Sequence, residues 1–167
     1  TLYSEKEYVR SGFNRISEAF SMPELEMKLW KAFLQGEKAI DVVLGKEGLL
    51  DRKVEAIDIY RKQIPDIHLY DGVWEMLCRI KQRGKTIGLL TDGRPEGQHA
   101  KIEALGLETV FDEIVITDEL GGIEFRKPNE TGFVNTSIIS SIIILLLCGS
   151  LPIIYSSRTF GDMLITG

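Results

Sequence analysis

Two stretches of this 167-residue chain hold residues whose types and order suit a phosphate group. Thr91-Asp92-Gly93 closes the apolar run Leu89-Leu90 and opens a segment with helical spacing. A hydroxyl at such a turn, beside the backbone N–H groups of a helix start, can hold a phosphate oxygen. Lys127, in Phe125-Arg126-Lys127-Pro128-Asn129, lies in a loop ahead of a proline and after the glycine turn Gly121-Gly122. There it can aim a fixed cation at the same group. Arg94, directly after the turn, can meet an anionic part of a substrate or simply stand in solvent. Each signal alone also describes an ordinary surface turn, and neither Thr91 nor Lys127 is expected in the core. The other conspicuous residues read as structural. His68 and His99 have no partners at metal-ligand spacing and are expected at a surface or interface. Trp30 and Trp74 read as packing residues, and Cys78 as a buried free thiol outside any C-x-x-C pair.

Elements must bring these residues together. From Pro65 onward the pattern alternates helix and strand. Asp71 is placed to cap a helix with Val73, Leu77 and Ile80 inward, stopped by Gly84. Lys85–Leu90 reads as a strand, Pro95 to Gly106 as a helix carrying Ile102 and Leu105 inward, and Glu113–Thr117 as a second strand. Alternation at this pitch predicts parallel strands with crossover helices, whose ligands gather at the carboxyl ends of the strands. Before Pro65 the pattern is helical throughout. Val9, Phe13, Ile16 and Phe20 share a face, and Ser21 to Glu24 reads as a capped helix start. Leu25, Leu29 and Phe33 form the next stripe, ended by Gly36. A short segment Lys38–Leu44 stops at Gly45, and Asp51 to Gln63 makes a further helix marked by Val54, Ile57 and Ile64. These are the helices of a small bundle.

In order along the chain, the chemical stretches resemble the haloacid dehalogenase (HAD) superfamily, in its subfamily with a helical C1-type cap. Leu89-Leu90-Thr91-Asp92-Gly93 is similar to the second motif, a Ser or Thr at a strand end. Phe111-Asp112, Thr117-Asp118-Glu119, Gly121-Gly122 and Lys127-Pro128-Asn129 resemble the approach to the third motif and its Lys. Thr1-Leu2-Tyr3 resembles the tail of the first motif, Asp-x-Asp-x-Thr-Leu, and the cap is inserted after it. The resemblance covers residues 1 to about 133 and implies Mg²⁺-dependent hydrolysis of a small phosphate monoester. In that chemistry one Asp attacks phosphorus to form an aspartyl-phosphate; a second protonates the leaving group and then activates water. Thr91 and Lys127 would hold the phosphoryl, Asp92, Gly93 and Arg94 would meet the substrate, and Asp162 would bind Mg²⁺.

The sequence departs from the family at both ends. The two catalytic Asp residues would lie upstream of Thr1, so the chain as given is expected to be inactive. Gly161-Asp162 comes late after Lys127 and is followed by no second acid, and Glu130 stands where a second Pro is common.

A net charge of −5 with 27% charged residues describes a globular protein without the clustered Lys and Arg that nucleic acid requires. From Thr131 onward only Arg158 and Asp162 are charged, and Ile138–Tyr155 is apolar apart from serines, Gly149 and Pro152. A buried core element ranks first for this run, an unnatural tail second and a membrane anchor third. The fold class expected is α/β, a Rossmann-like parallel sheet over residues 69–167 lacking one N-terminal strand, with a helical cap over 4–66. The cap is expected to act as a lid hinged at Tyr3-Ser4 and Asp66–Tyr70. A cytoplasmic enzyme with a small phosphorylated substrate is the leading reading. A non-catalytic binding or regulatory module on the same fold, or a membrane-tethered domain, are the alternatives.

Overall fold

The apolar periodicity before Pro65 produces four α-helices: α1 (Glu5–Ala19), α2 (Pro23–Leu34), α3 (Ala39–Lys46) and α4 (Lys53–Arg61). In the computed structural model, which describes residues 2–126, 142–146 and 155–156, they form one of two units, Glu5–Ile67. Ile16, Leu25, Leu29, Leu44 and Ala56 are fully buried at its centre, with Phe13 beside them. Each fully buried aliphatic side chain contributes about 1.5–3 kcal/mol by leaving water. Trp30 packs against this core and stacks on Phe33, with ring centroids 5.4 Å apart.

The helix ends follow backbone geometry more than side-chain capping. Ser21 is not the cap of α2 but the stop of α1. It adopts a left-handed conformation, φ 54°, while Met22 N–H bonds to Ser17 O at 3.0 Å and Ser21 N–H to Glu18 O at 3.1 Å. That closes α1 in the manner of a Schellman motif. The Ser17 hydroxyl reinforces it by donating to Met22 O at 2.6 Å. Gly36 stops α2 as expected, with φ +75°. Gly45, expected as a stop, instead lies within α3, and Gly48 turns the chain after it. The Asp51 to Gln63 helix divides into a 3₁₀ turn, Leu50–Arg52, and α4. Val54 and Ile64 do not mark its buried face, each being 79% exposed; Ala56, Ile59 and Tyr60 face the core. Burial pushes the Tyr60 phenol above its ordinary range, with Tyr8 and Glu5 adding to the effect.

The second unit comprises Thr1–Ser4 and His68–Gly167. The segments leading to and from the helical unit pair antiparallel at Tyr3 and Leu69, with Tyr70 N–H bonded to Leu2 O at 2.9 Å. α5 (Val73–Gln82) follows; Gly72, at φ +79°, occupies its cap position, and Asp71 makes no capping bond. Leu77 is buried, Cys78 is half-buried, and Trp74 is exposed, contrary to its reading as a packing residue. β1 (Thr86–Thr91), α6 (Pro95–Ala104) and β2 (Glu113–Ile116) then form a crossover with parallel strands. β3 (Ile142–Leu146) pairs parallel to the other edge of β1, and β4 (Tyr155–Ser156) runs antiparallel to β3. The strand order is β2-β1-β3-β4. Thus the described parts of the apolar tail are two strands of the sheet, β3 inside it and β4 at its edge. Among the described residues no helix is long and apolar enough to cross a membrane.

Asp112 fixes how β2 enters the sheet. Its N–H donates to Ile87 O at 2.9 Å, and its carboxylate accepts the Ile87 N–H at 2.8 Å. Lys81 holds the Asp112 carboxyl below the usual carboxylate range, and the Ile87 N–H adds to this. The pair of backbone anchors sets the register in which Gly88 faces Glu113 and Thr91 faces Ile116.

Gly12 is where α1 meets α4. A Cβ there would lie 2.4 Å from the Tyr60 ring and 2.7 Å from Gln63 Nε2. The Gln63 amide is buried and donates to Tyr60 O at 3.1 Å, so it has little freedom to retreat. Ala improves intrinsic helix propensity by about 1 kcal/mol over Gly, whereas overpacking a close helix contact costs about 1–3 kcal/mol. An approach this close to a packed ring belongs to the upper part of that cost, about 2–3 kcal/mol. Gly12→Ala should therefore lower stability by about 1–2 kcal/mol net, measured by urea unfolding followed through helical circular dichroism. An unchanged or raised midpoint would show that α1 and α4 are not in this contact.

Candidate functional site

Parallel strands deliver their following loops to one edge of the sheet. β1 and β2 run into the same pair there, Thr-Asp after an aliphatic residue, in Leu90-Thr91-Asp92 and Ile116-Thr117-Asp118. Because Thr91 pairs with Ile116, the second Thr-Asp stands one residue further along. Thr117 therefore comes beside Asp92, and its hydroxyl donates to Asp92 Oδ1 at 2.9 Å. Side-chain bonds thus continue the link between the strands where the backbone ladder stops.

Asp118 closes the loop that follows β2. It follows Thr117 in a 3₁₀ turn, Thr117–Leu120, and its side chain is only 9% exposed. Arg126 grips it with two bonds, Nε to Oδ1 at 2.7 Å and Nη2 to Oδ2 at 2.6 Å. This fork holds the Asp118 carboxyl below the usual carboxylate range against the opposing effect of burial. The Gly93 N–H and the charge of Arg94 contribute in the same direction. A bidentate Arg–carboxylate pair fixes orientation as well as charge. It therefore secures the chain at Arg126, the residue that precedes Lys127.

Thr91 is fully buried, which corrects the expectation that it lies outside the core. It ends β1, with Ile116 of β2 beside it and Gln98 of α6 bonded to it. Its hydroxyl donates to Gln98 Oε1 at 2.7 Å. Gln98 sits in the second turn of α6, itself 7% exposed. Gly93 has φ +129°, and a Cβ there would stand 2.7 Å from Gln98 Nε2. The backbone therefore requires glycine at this turn, and the Gln98 amide packs into the space left by its missing Cβ. Arg94, exposed and extended, precedes Pro95 at the first position of α6, whose start has no side-chain cap.

The structure thus gathers Thr91, Asp92, Gly93 and Arg94 on one turn. Lys127 and Asp162 lie outside the described residues. Among the described residues no group of three or more His, Cys, Asp and Glu side chains could hold a metal ion. Asp118 is engaged by Arg126, and exposed His99 lies 2.8 Å from Glu119. Thr117 and Asp118, which the sequence marked only as part of the approach to Lys127, and Arg126 and Gln98, to which it gave no role, are site residues. The repeated Thr-Asp after two apolar strands was the available signal for the first two.

The family model for the haloacid dehalogenase-like hydrolase matches residues 1–137. A solved hydrolase from Streptococcus pneumoniae TIGR4 is similar over 99% of this chain and 93% of its own, at 16% identity and a TM-score of 0.56. YfnB from Bacillus subtilis, described as a HAD-hydrolase and solved bound to magnesium, is similar over 87% of this chain and 75% of its own. Its identity is 16% and its TM-score 0.51. No curated protein matches the chain.

The Asp118–Arg126 fork gives a pH signature. Asp118 has a lowered carboxyl pKa in the folded state, so its contribution is complete above the unfolded value, about 3.9. It is lost as pH falls through the folded value. Asp118→Asn should cost about 1–2 kcal/mol at neutral pH, the low end for a charge-assisted bond because Arg126 is part-exposed. The difference from wild type should shrink below about pH 4, as measured by urea unfolding across pH 2.5–7. A gap that stays constant over that range would mean the fork contributes nothing through charge.

Proposed function

The chain belongs to the haloacid dehalogenase-like hydrolases, and on that footing we propose that it serves a phosphohydrolase acting on a small phosphate monoester. The observation that carries this reading is the linked pair of strand-end loops. One offers the Thr91 hydroxyl, and the other is secured at Arg126, one residue before Lys127. In this reading Thr91 holds one phosphoryl oxygen by a hydrogen bond. Lys127 supplies full positive charge where negative charge gathers in the transition state. Arg94 meets a second anionic group of the substrate, and Asp92 and Gly93 shape the turn beneath it. The helical unit is proposed as the cap that selects the substrate, and the cytoplasm as the compartment.

Mg²⁺ is the proposed cofactor, supported by the family chemistry and by the magnesium-bound YfnB structure. It would neutralise phosphoryl charge. The described residues do not make a site for it, and the acid proposed for it, Asp162, lies outside them. Covalent phosphoryl transfer in this family needs an Asp nucleophile and an Asp acid–base, and residues 1–167 hold no Asp-x-Asp sequence.

Two assays test the reading. Residues 1–167 alone, given an aryl phosphate and Mg²⁺, should show no turnover near the ordinary range of about 1–1000 s⁻¹. Turnover in that range would overturn the assignment of the chemistry to an Asp-x-Asp pair. A chain extended at its N-terminus by an Asp-x-Asp-bearing strand should hydrolyse the same ester. There, Thr91→Ala and Lys127→Ala should lower kcat/KM, Lys127→Ala by the larger factor, about 10²–10³. Full activity of the Lys127 variant would remove Lys127 from the site. An extended chain that binds a phosphate ester but never turns it over would favour a binding module instead.

A further inference from the structure

We infer that Gln98 is the positioning residue for the Thr91 hydroxyl, and that its amide reverses direction when an anion binds. This rests on the phosphate-holding role proposed for Thr91. A threonine hydroxyl has one hydrogen to give. Here that hydrogen goes to Gln98 Oε1, at 2.7 Å. Phosphate oxygens without protons can only accept, so Thr91 must turn its hydrogen away from Gln98 to hold one. Two acceptor oxygens, Thr91 Oγ1 and Gln98 Oε1, would then face each other at hydrogen-bond distance. Thr91 is fully buried and Gln98 is 7% exposed, which leaves little room for water to separate them.

An amide resolves this conflict because it carries an acceptor and a donor at equal reach. Half a turn about the last side-chain torsion brings Nε2 to the place of Oε1. Nε2–H then donates to Thr91 Oγ1, and Thr91 donates onward to the anion. The chain of donors becomes Gln98 to Thr91 to phosphate, and each bond polarises the next. Gln98 Nε2 lies against Gly93, whose missing Cβ, which would stand 2.7 Å away, leaves the amide space on that side. The backbone of Gln98 is fixed meanwhile, its N–H bonded to Arg94 O at 3.1 Å in the first turn of α6. A helical side chain leans toward its own N-terminus, which carries this amide back to the end of β1. Neither a carboxylate nor an alkyl group at this position could serve both states.

The test is titration of inorganic phosphate into the 167-residue chain, with affinity from calorimetry and the Gln98 side-chain amide followed by NMR. Saturation should shift the Gln98 Nε2 resonances in wild type. Gln98→Met, of nearly equal length, should weaken phosphate about tenfold, the worth of one hydrogen bond. Gln98→Glu should weaken it at least as much at neutral pH. Relative to wild type at each pH, it should recover as the introduced carboxyl takes up a proton near pH 4–5 and can donate. A purely structural role would give no such recovery, and thermal unfolding of both variants confirms that they are folded. Wild-type affinity in both variants, with Thr91→Ala still weakened, would overturn the role of Gln98 alone. If wild type binds no phosphate, or Thr91→Ala binds as well as wild type, the reading of Thr91 fails and this inference falls with it.

Discussion

The parallel register of β1 against β2 is the constraint on which the site depends. Asp112 sets it before β2 begins, by pairing its backbone and its carboxylate with Ile87. A slip of one residue would turn every side chain of β2 to the opposite face. It would also separate Thr117 from Asp92 and Asp118 from Gly93. The carboxylate is well suited to the task because Lys81 stabilises its charge while the Ile87 N–H orients it. Thr91, Asp92, Thr117 and Asp118 are therefore placed by an interaction at the far ends of the strands that carry them.

Beyond the strands, the same pairing is carried on by side chains. The Thr117–Asp92 bond and the Gly93 N–H bond to Asp118 join two loops that would otherwise be free to part, and the Asp118–Arg126 fork closes the second loop on itself. Holding two groups to a common target depends on fixed geometry more than on the strength of either contact. The Arg126 fork is part-exposed and the Thr91–Gln98 bond is buried, so the two differ in kind. The first is sensitive to pH and salt through its charge. The second depends on hydrogen-bond direction, since water has little access to repair it.

The helical unit is organised by a different economy. Several of its boundaries come from residues in left-handed conformations, Ser21, Gly36 and Gly48, where the last carbonyls are satisfied by the backbone that follows. Its closest helix contact needs a residue without a Cβ, Gly12, so that Tyr60 and Gln63 can pack on α1. Helix propensity is overruled there by packing.

Much of this was legible in the sequence. The switch from helical to alternating grammar at Pro65, the two parallel strands, and Thr91 at the end of the first follow from apolar spacing and from Gly and Pro as punctuation. The family followed from the order of short motifs. What local pattern misjudged were choices between equivalent candidates. Val54 and Ile64 were as apolar as the residues that face the core, yet they are exposed, because α4 turns Ala56, Ile59 and Tyr60 inward instead. Gly45 was as good a stop as Gly48 until packing continued the helix through it. The apolar tail offered no period with which to separate strand from helix, and pairing with β1 made residues 142–146 a strand. Sequence determined which residues can do chemistry, since that is a property of their side chains. Only the tertiary structure decided that Thr91 is buried, that Asp118 belongs to Arg126, and that Gln98 holds the hydroxyl. Each of those depends on a neighbour remote in sequence or on another element, brought into reach by strand register and helix packing.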